Sequence, residues 1–184
     1  MHDVAIIGGG PGGYAAALYA HNFGLSVALI EKDLVGGTCL HRGCVPTKAW
    51  LETAARFVSV AGAGEFGVMT AAPSLDWGKA RERKGAVVGR IHRGLTGLLR
   101  RREVEVIAGT GRLALGGGAV VSGAEGERRV EARAVILATG AVPRSIPGYE
   151  FDGRQIVSSD HALDWQQRPD RVAVIGAGAI GCEF

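Results

Sequence analysis

Residues 2–7 form an apolar run that predicts a buried strand, and it leads through Gly8-Gly9-Gly10-Pro11-Gly12-Gly13 into an alanine-rich helical stretch ending near Phe23. A second apolar run over 26–30 predicts another strand, closing on Glu31. Helical spacing resumes after Pro46 and continues to about Ala61. A glycine-rich break and Pro73 come next, followed by a long helical pattern in which Val87, Val88, Ile91, Leu95, Leu98 and Leu99 recur every three or four residues. Gly85, Gly89, Gly94 and Gly97 each cost roughly 0.8 to 1 kcal/mol there, so packing has to hold this helix. Gly85 and Gly89, one turn apart, either allow close backbone approach or simply weaken the helix. From residue 104 the period becomes that of strands, over 104–107, 111–115, 119–122 and 128–131, which predicts a small antiparallel meander. Residues 134–138 read as a buried strand ending in Thr139-Gly140, and Pro143, Pro147 and Gly148 as a linker. A short strand near Ile156 and a polar segment through Asp160 lead to a last apolar run at 171–175.

Two of these strands end in the same signature. Gly8, Gly10 and Gly13 form G-x-G-x-x-G between a strand and a helix, the context in which the motif cradles a dinucleotide. The first glycine permits the turn, the second lets backbone approach a pyrophosphate, and the third lets helix lie against strand. Free N–H groups and the dipole at the helix N-terminus favour the phosphate. Glu31, ending the second strand, is placed to accept hydrogen bonds from ribose hydroxyls. Gly176, Gly178 and Gly181 repeat the fingerprint after residues 171–175. A βαβ unit takes about thirty residues, so this second unit is expected to be present only as its opening, in the N-terminal part of a longer protein. The expected class is α/β, a Rossmann-like FAD/NAD(P)-binding fold whose parallel sheet with helices carries the small meander. Its expected domains are a first, larger FAD-binding segment over 1–148 and the truncated start of an NAD(P)-binding domain over 149–184.

Composition narrows the picture. The chain has 184 residues, 47% of them hydrophobic, enough for a sizeable core. Thirty glycines without a collagen-like period cluster after apolar runs, as tight βα turns require. The net charge of +3 falls largely between Arg81 and Arg102 among valines and leucines, which reads as a solvated helix face. A nucleic-acid stripe would want aromatics and a second basic element. No run approaches eighteen apolar residues and Met1 is followed at once by a strand, so neither a membrane span nor a signal peptide is expected.

The most chemically loaded stretch is Gly36-Gly37-Thr38-Cys39-Leu40-His41-Arg42-Gly43-Cys44-Val45-Pro46-Thr47-Lys48. On a regular helix, positions five apart such as 39 and 44 lie about 8.7 Å apart between Cα atoms, beyond the ~7 Å reach of a disulfide. Pairing therefore requires a turn or a distorted first helical turn, where Gly43 supplies unusual dihedrals. Pro46 suits the first turn of a following helix, which puts Cys44 near its N-terminus and Lys48 one turn on, a setting that favours thiolate over thiol. Taken alone the pair admits a redox disulfide, a zinc site with His41 as the nearby imidazole, a static bridge, or two buried cysteines. A reducing cytoplasmic setting suits a catalytic pair better than a structural one, and leaves Cys182 as the third cysteine.

Two glycine fingerprints with C-x4-C between them resemble the pyridine nucleotide-disulfide oxidoreductases, over all 184 residues but only about two fifths of a typical member. The segments 84–88, 94–99 and 107–111 resemble its dihydrolipoamide dehydrogenase branch. The resemblance implies FAD and NAD as cofactors, and a Cys39-Cys44 redox disulfide carrying electrons from protein-bound dihydrolipoamide through FAD to NAD. It implies a catalytic set of Cys39 facing substrate, Cys44 facing the flavin, and Lys48 paired with Glu183. It implies a cofactor-binding set of Gly8, Gly10, Pro11, Gly12, Gly13, Glu31, Lys32, Gly37, Thr38, Cys39, Gly43, Cys44, Lys48, Gly111, Ala138, Thr139, Gly140, Gly176, Gly178 and Gly181, and no metal. As partners it implies a lipoyl-bearing acyltransferase of a 2-oxo acid dehydrogenase complex and a homodimer, with no nucleic acid, no membrane and a cytoplasmic location. The family's catalytic histidine near the C-terminus has no counterpart here, and His41, His92 and His161 are expected to be non-catalytic. The residue that separates NAD from NADP is expected after Phe184. A glutathione or mercuric reductase type of flavoenzyme, or a non-catalytic FAD-binding module, is the alternative. The apolar neighbours Leu34, Leu40, Val45 and Leu51 favour a lipoyl arm over a charged tripeptide.

Overall fold

A computed structural model describes residues 1–184, which divide into two compact units, Met1–His41 with Arg90–Val142 and Arg42–Gly89 with Pro143–Phe184. The first unit is built on β1 (His2–Ile7), α1 (Pro11–Asn22), β2 (Val27–Glu31) and the short α2 (Gly37–His41). It is completed by β3 (Glu105–Ala108), β4 (Thr110–Leu113), β5 (Ala119–Gly123), β6 (Gly126–Val130) and β7 (Ala132–Leu137). Four strands form a parallel sheet in the order β3-β2-β1-β7, and three form an antiparallel sheet in the order β4-β5-β6. This is the expected α/β class with its small meander.

The runs at the two central strands are apolar without alternation because both faces are covered. On one face Val4, Ile6, Val27 and Leu29 meet Ala17 and Ala20 of α1, together with Leu99. On the other face Ala5, Ile7, Ala28 and Ile30 meet Ala119, Val121 and Val130 of the antiparallel sheet. The expectation that residues 104–107 belong to the meander is corrected, since Val106 lies beside Leu29 and Ile107 beside Ile30 in the parallel sheet. Gly109 makes the change of sheet. Its φ is +147°, and a Cβ there would stand 2.6 Å from Val121 Cγ1, so only glycine passes this close to β5.

In helix α4 (Trp77–Arg101), Leu99 of the apolar stripe is fully buried while Ile91 is 42% exposed. A Cβ on Gly85 would meet nothing within 4 Å, so this glycine serves no close backbone approach. Arg93, Arg100 and Arg101 are exposed. In the second unit α3 (Cys44–Ala61) meets the start of α4 through Trp50 and Trp77, whose rings are 4.9 Å apart. Lys84 stands 5.0 Å over the Trp50 ring and donates to the Leu163 carbonyl in α5 (Ser159–Leu163). Burial holds the Lys84 ammonium below the usual lysine range, against the opposing pull of Asp164.

Two expected strands are absent. Residues 171–175 precede α6 (Ala179–Glu183) without forming a strand, and Val172, Val174 and Ile175 are 55%, 49% and 67% exposed. An apolar run becomes a strand only where a neighbouring backbone completes its ladder, and here none does. Near Ile156 the chain instead turns around Asp152, whose Oδ1 accepts from the backbone N–H groups of Arg154, Gln155 and Ile156 at 2.7, 2.9 and 2.9 Å.

Candidate cofactor and dithiol site

In the first unit the strand order reverses at β1, with β2 on one side and β7 on the other, and open α/β sheets bind ligands beyond the strand ends at such a point. The two turns leaving β1 and β7 touch there. A Cβ on Gly8, whose φ is +109°, would lie 2.1 Å from the Ala138 carbonyl oxygen. A Cβ on Gly13 would lie 1.7 Å from the Gly8 carbonyl oxygen, so α1 approaches β1 as no other residue permits. Gly10 is the N-cap of α1 and Pro11 its first residue, with no side chain capping the helix end. A phosphate needs such an opening. Gly12, Thr139 and Gly140 are exposed around it.

Glu31 closes one wall, its Oε2 accepting from the Gly9 N–H at 2.6 Å and its Oε1 from the Asp33 N–H at 2.9 Å. Each carboxylate oxygen keeps a further lone pair for a ribose hydroxyl. Lys32 is exposed beside it. Gly111 lies beneath the sheet ends, where a Cβ would come within 2.9 Å of Ile7 and 3.0 Å of Ile30. Its place is packing under the strands.

The cysteine stretch begins on this same turn. The Gly36 N–H donates to the Gly9 carbonyl at 2.8 Å, and a Cβ on Gly37 would stand 2.6 Å from Gly10 Cα. Thr38 is exposed and Cys39 half-buried on α2. His41 turns its Nε2 to the Val35 carbonyl at 3.0 Å. That carbonyl also accepts from His92 Nδ1 at 3.0 Å, and His92 is half-buried. His161 is exposed, and its side chain closes a capping box with Ser158 at the start of α5.

In the second unit Gly43 is the N-cap of α3 and Cys44 its exposed first residue, with no acid in the first turn. Cys39 and Cys44 thus belong to different helices, broken at Arg42-Gly43, as a turn between them requires. Thr47 Oγ1 donates back to the Gly43 carbonyl at 2.7 Å and secures this helix start. Lys48 Nζ donates to Glu183 Oε1, so residues 135 positions apart form an ion pair with side chains 57% and 33% exposed. Glu183 also borders an apolar cleft of about 600 Å³ formed by Trp50, Phe57, Leu75 and Trp77, with Arg168 at its edge. The buried Trp50 Nε1 has no hydrogen-bond acceptor. Gly176, Gly178 and Gly181 rebuild the first fingerprint locally, with Gly176 at φ +116° and a Gly181 Cβ 2.1 Å from the Gly176 carbonyl oxygen.

A glycine turn with an acid on one wall and Gly36-Gly37 against the other agrees with what whole-chain comparison finds. The family model for pyridine nucleotide-disulphide oxidoreductases matches residues 2–184. The chain belongs to this family. A dihydrolipoyl dehydrogenase of Bacillus subtilis (strain 168) is 40% identical over 194 residues, covering 100% of this chain and 40% of that protein. One from Chlorobaculum parvum is 43% identical over 183 residues, covering 99% of this chain and 39% of that protein. Among solved structures, LpdA from Mycobacterium tuberculosis has a TM-score of 0.82 at 28% identity, covering 91% of this chain and 38% of its own. The chain therefore spans about two fifths of the length of the curated relatives it matches. No helix is long and apolar enough to cross a membrane.

Sequence reasoning missed Gly9, Gly36 and the histidine pair. The signal available for Gly9 and Gly36 was glycine beside fingerprint glycine; for His92 there was none, because its partner is a backbone carbonyl far along the chain.

Proposed function

We propose that the chain is the FAD-binding and dithiol-bearing portion of a dihydrolipoamide dehydrogenase, with the FAD-binding segment over 1–148 and the opening of an NAD(P)-binding domain over 149–184. The observation that carries this reading is the contact of Gly36 and Gly37 with Gly9 and Gly10, which starts the cysteine stretch on the dinucleotide turn. The uncapped start of α1, the Gly8, Gly13 and Gly37 positions that no Cβ could share, and Glu31 fit the diphosphate and ribose of FAD. The second turn fits the diphosphate of NAD by the same measure.

FAD, when bound, supplies the two-electron relay between the cysteine pair and NAD. Cys39 is the sulfur that exchanges with the dihydrolipoyl dithiol. One substrate sulfur attacks it, the Cys39-Cys44 bond breaks, and a mixed disulfide forms. The second substrate sulfur then attacks the mixed disulfide and releases lipoamide, leaving both cysteines reduced; of the two substrate protons, one ends in NADH and one is released. The net change is dihydrolipoamide plus NAD⁺ to lipoamide, NADH and a proton. Cys44 leads α3, whose N-terminal N–H groups face an anionic sulfur favourably. Lys48, one turn on, is oriented by Glu183. The partners of the whole protein would be a lipoyl-bearing acyltransferase and a second copy of the chain, in the cytoplasm.

Anaerobic two-electron reduction of the full-length holoprotein tests this. A long-wavelength thiolate-to-flavin absorption band is expected, and it should vanish in Cys44→Ser; a wild-type holoprotein without that band sinks the mechanism. The glutathione or mercuric reductase alternative is separated by comparing turnover with dihydrolipoamide and with oxidised glutathione. Leu34 and Leu51 are 51% and 38% exposed and available to an apolar arm, whereas Leu40 is buried and takes no part.

A further inference from the structure

Two imidazoles, from α2 and α4, converge on one peptide group. His41 Nε2 and His92 Nδ1 each lie 3.0 Å from the Val35 carbonyl oxygen, with ring centroids 5.1 Å apart and edge to face. A carbonyl only accepts, so His41 carries its proton on Nε2 and His92 on Nδ1. The N–H of the same peptide unit belongs to Gly36 and donates to the Gly9 carbonyl at 2.8 Å, while the Gly9 N–H is held by Glu31. One continuous series of hydrogen bonds therefore runs from Glu31 through Gly9 and the Val35-Gly36 peptide to two helices. Gly36, at φ +117°, is buried, and its peptide cannot rotate without losing three hydrogen bonds at once. Cys39 lies between Gly37, abutting Gly10, and His41, tied to Val35, so α2 is anchored at both ends.

We propose that His41 and His92 are positioning residues, which fix the Val35-Gly36 peptide and with it the loop and helix presenting Thr38 and Cys39 to FAD and the substrate dithiol. The role in catalysis rests on the dihydrolipoamide dehydrogenase reading, but the anchoring does not. The geometry sets a donor code. The amide nitrogen of asparagine replaces Nδ1 and that of glutamine replaces Nε2, so His92→Asn and His41→Gln keep the bonds, whereas His92→Gln and His41→Asn misplace the donor.

The test is amide hydrogen exchange of peptides covering residues 33–40 in the full-length protein, read beside peptides from β1 and β2. In His41→Ala/His92→Ala, exchange at 33–40 should rise about tenfold or more while β1 and β2 stay protected, the scale expected for losing about one net hydrogen bond or more. His92→Asn and His41→Gln should restore protection, and the mismatched amides should not. Should the double alanine variant not fold, the pair His92→Asn and His92→Gln, one methylene apart, carries the same comparison. Unchanged exchange at 33–40 in the double variant, or equal exchange in the two amide variants, overturns the assignment. Loss of the Cys44-dependent absorption band with the donor code intact would overturn the catalytic reading alone. With both readings correct, the mismatched variants should also release FAD about tenfold more readily.

Discussion

The two glycine fingerprints are nearly the same object in different surroundings. Gly8 and Gly176 take φ of +109° and +116°, and the N-caps Gly10 and Gly178 take φ of −71° and −73°. The third glycine presses on the first carbonyl in both, where a Cβ would stand 1.7 Å from Gly8 and 2.1 Å from Gly176. Around the first turn, β1 is paired on both sides, Ala138 closes on Gly8 and Glu31 holds Gly9. Around the second there is no ladder, and a Cβ on Gly176 would meet nothing within 4 Å. The turn is thus encoded locally by glycine dihedrals and the first helical residues, whereas the strand before it exists only where other backbone completes it.

This difference is strongest in alanine substitutions of the leading glycine. Gly8→Ala adds dihedral strain and a collision with the Ala138 carbonyl, and should cost about 3 kcal/mol or more in denaturant unfolding. In the 184-residue chain Gly176→Ala meets open space and should cost no more than about 1–2 kcal/mol, the strain alone. Equal losses would show that surroundings do not distinguish the two turns. Next in size is Glu31→Ala. It strands the buried Gly9 N–H, and about 1–3 kcal/mol of stability should go with it, along with a more than tenfold loss of FAD affinity by fluorescence titration.

Glu183→Gln probes the acid of the other unit. Its pair with Lys48 is part-exposed, so unfolding should shift by no more than about 1 kcal/mol. On the proposed mechanism the turnover of the full-length enzyme should fall nonetheless. A large stability loss with turnover unchanged would make the pair structural.

What could be read directly from the chain was whatever depends on neighbours in sequence. The apolar runs at 2–7 and 26–30 announced buried strands, and the spacing of Gly8, Gly10 and Gly13 announced the turn. The run at 171–175 carries the same signal but forms no strand, because period and apolarity specify a face and not a partner. Residues 104–107 were assigned to the wrong sheet for a related reason, since strand propensity is silent on which edge is vacant. In the site, Glu31 was readable because it ends a strand at a motif-defined distance. The convergence of His41 and His92 on Val35 was not, because a backbone carbonyl has no side-chain signature.

The smallest expected effect lies in acid and separates the units once more. Hydrogen bonds from Ser26 hold the Asp3 carboxyl below its ordinary range, with Arg133 adding to the effect, and they tie β1 to the residue before β2. Backbone N–H groups from Arg154 and Ile156 do the same to Asp152, but only within its own turn. A carboxyl whose folded pKa lies below its unfolded value leaves the unfolded chain binding more protons between the two. The stabilisation is therefore complete above the unfolded value near 4 and disappears as pH falls through the folded one. Asp152 is exposed and Asp3 only half-buried, so the changes are slight, but they should differ in reach. Asp3→Asn should flatten the decline of the denaturant midpoint between pH 5 and 3, because its contacts join two strands of one cooperative sheet. Asp152→Asn should leave that decline unaltered and speed amide exchange only over residues 152–156. If Asp152→Asn flattened the acid limb as much as Asp3→Asn, the turn would be folding with the sheet, and the contrast between a sheet-anchored unit and a locally encoded one would fail.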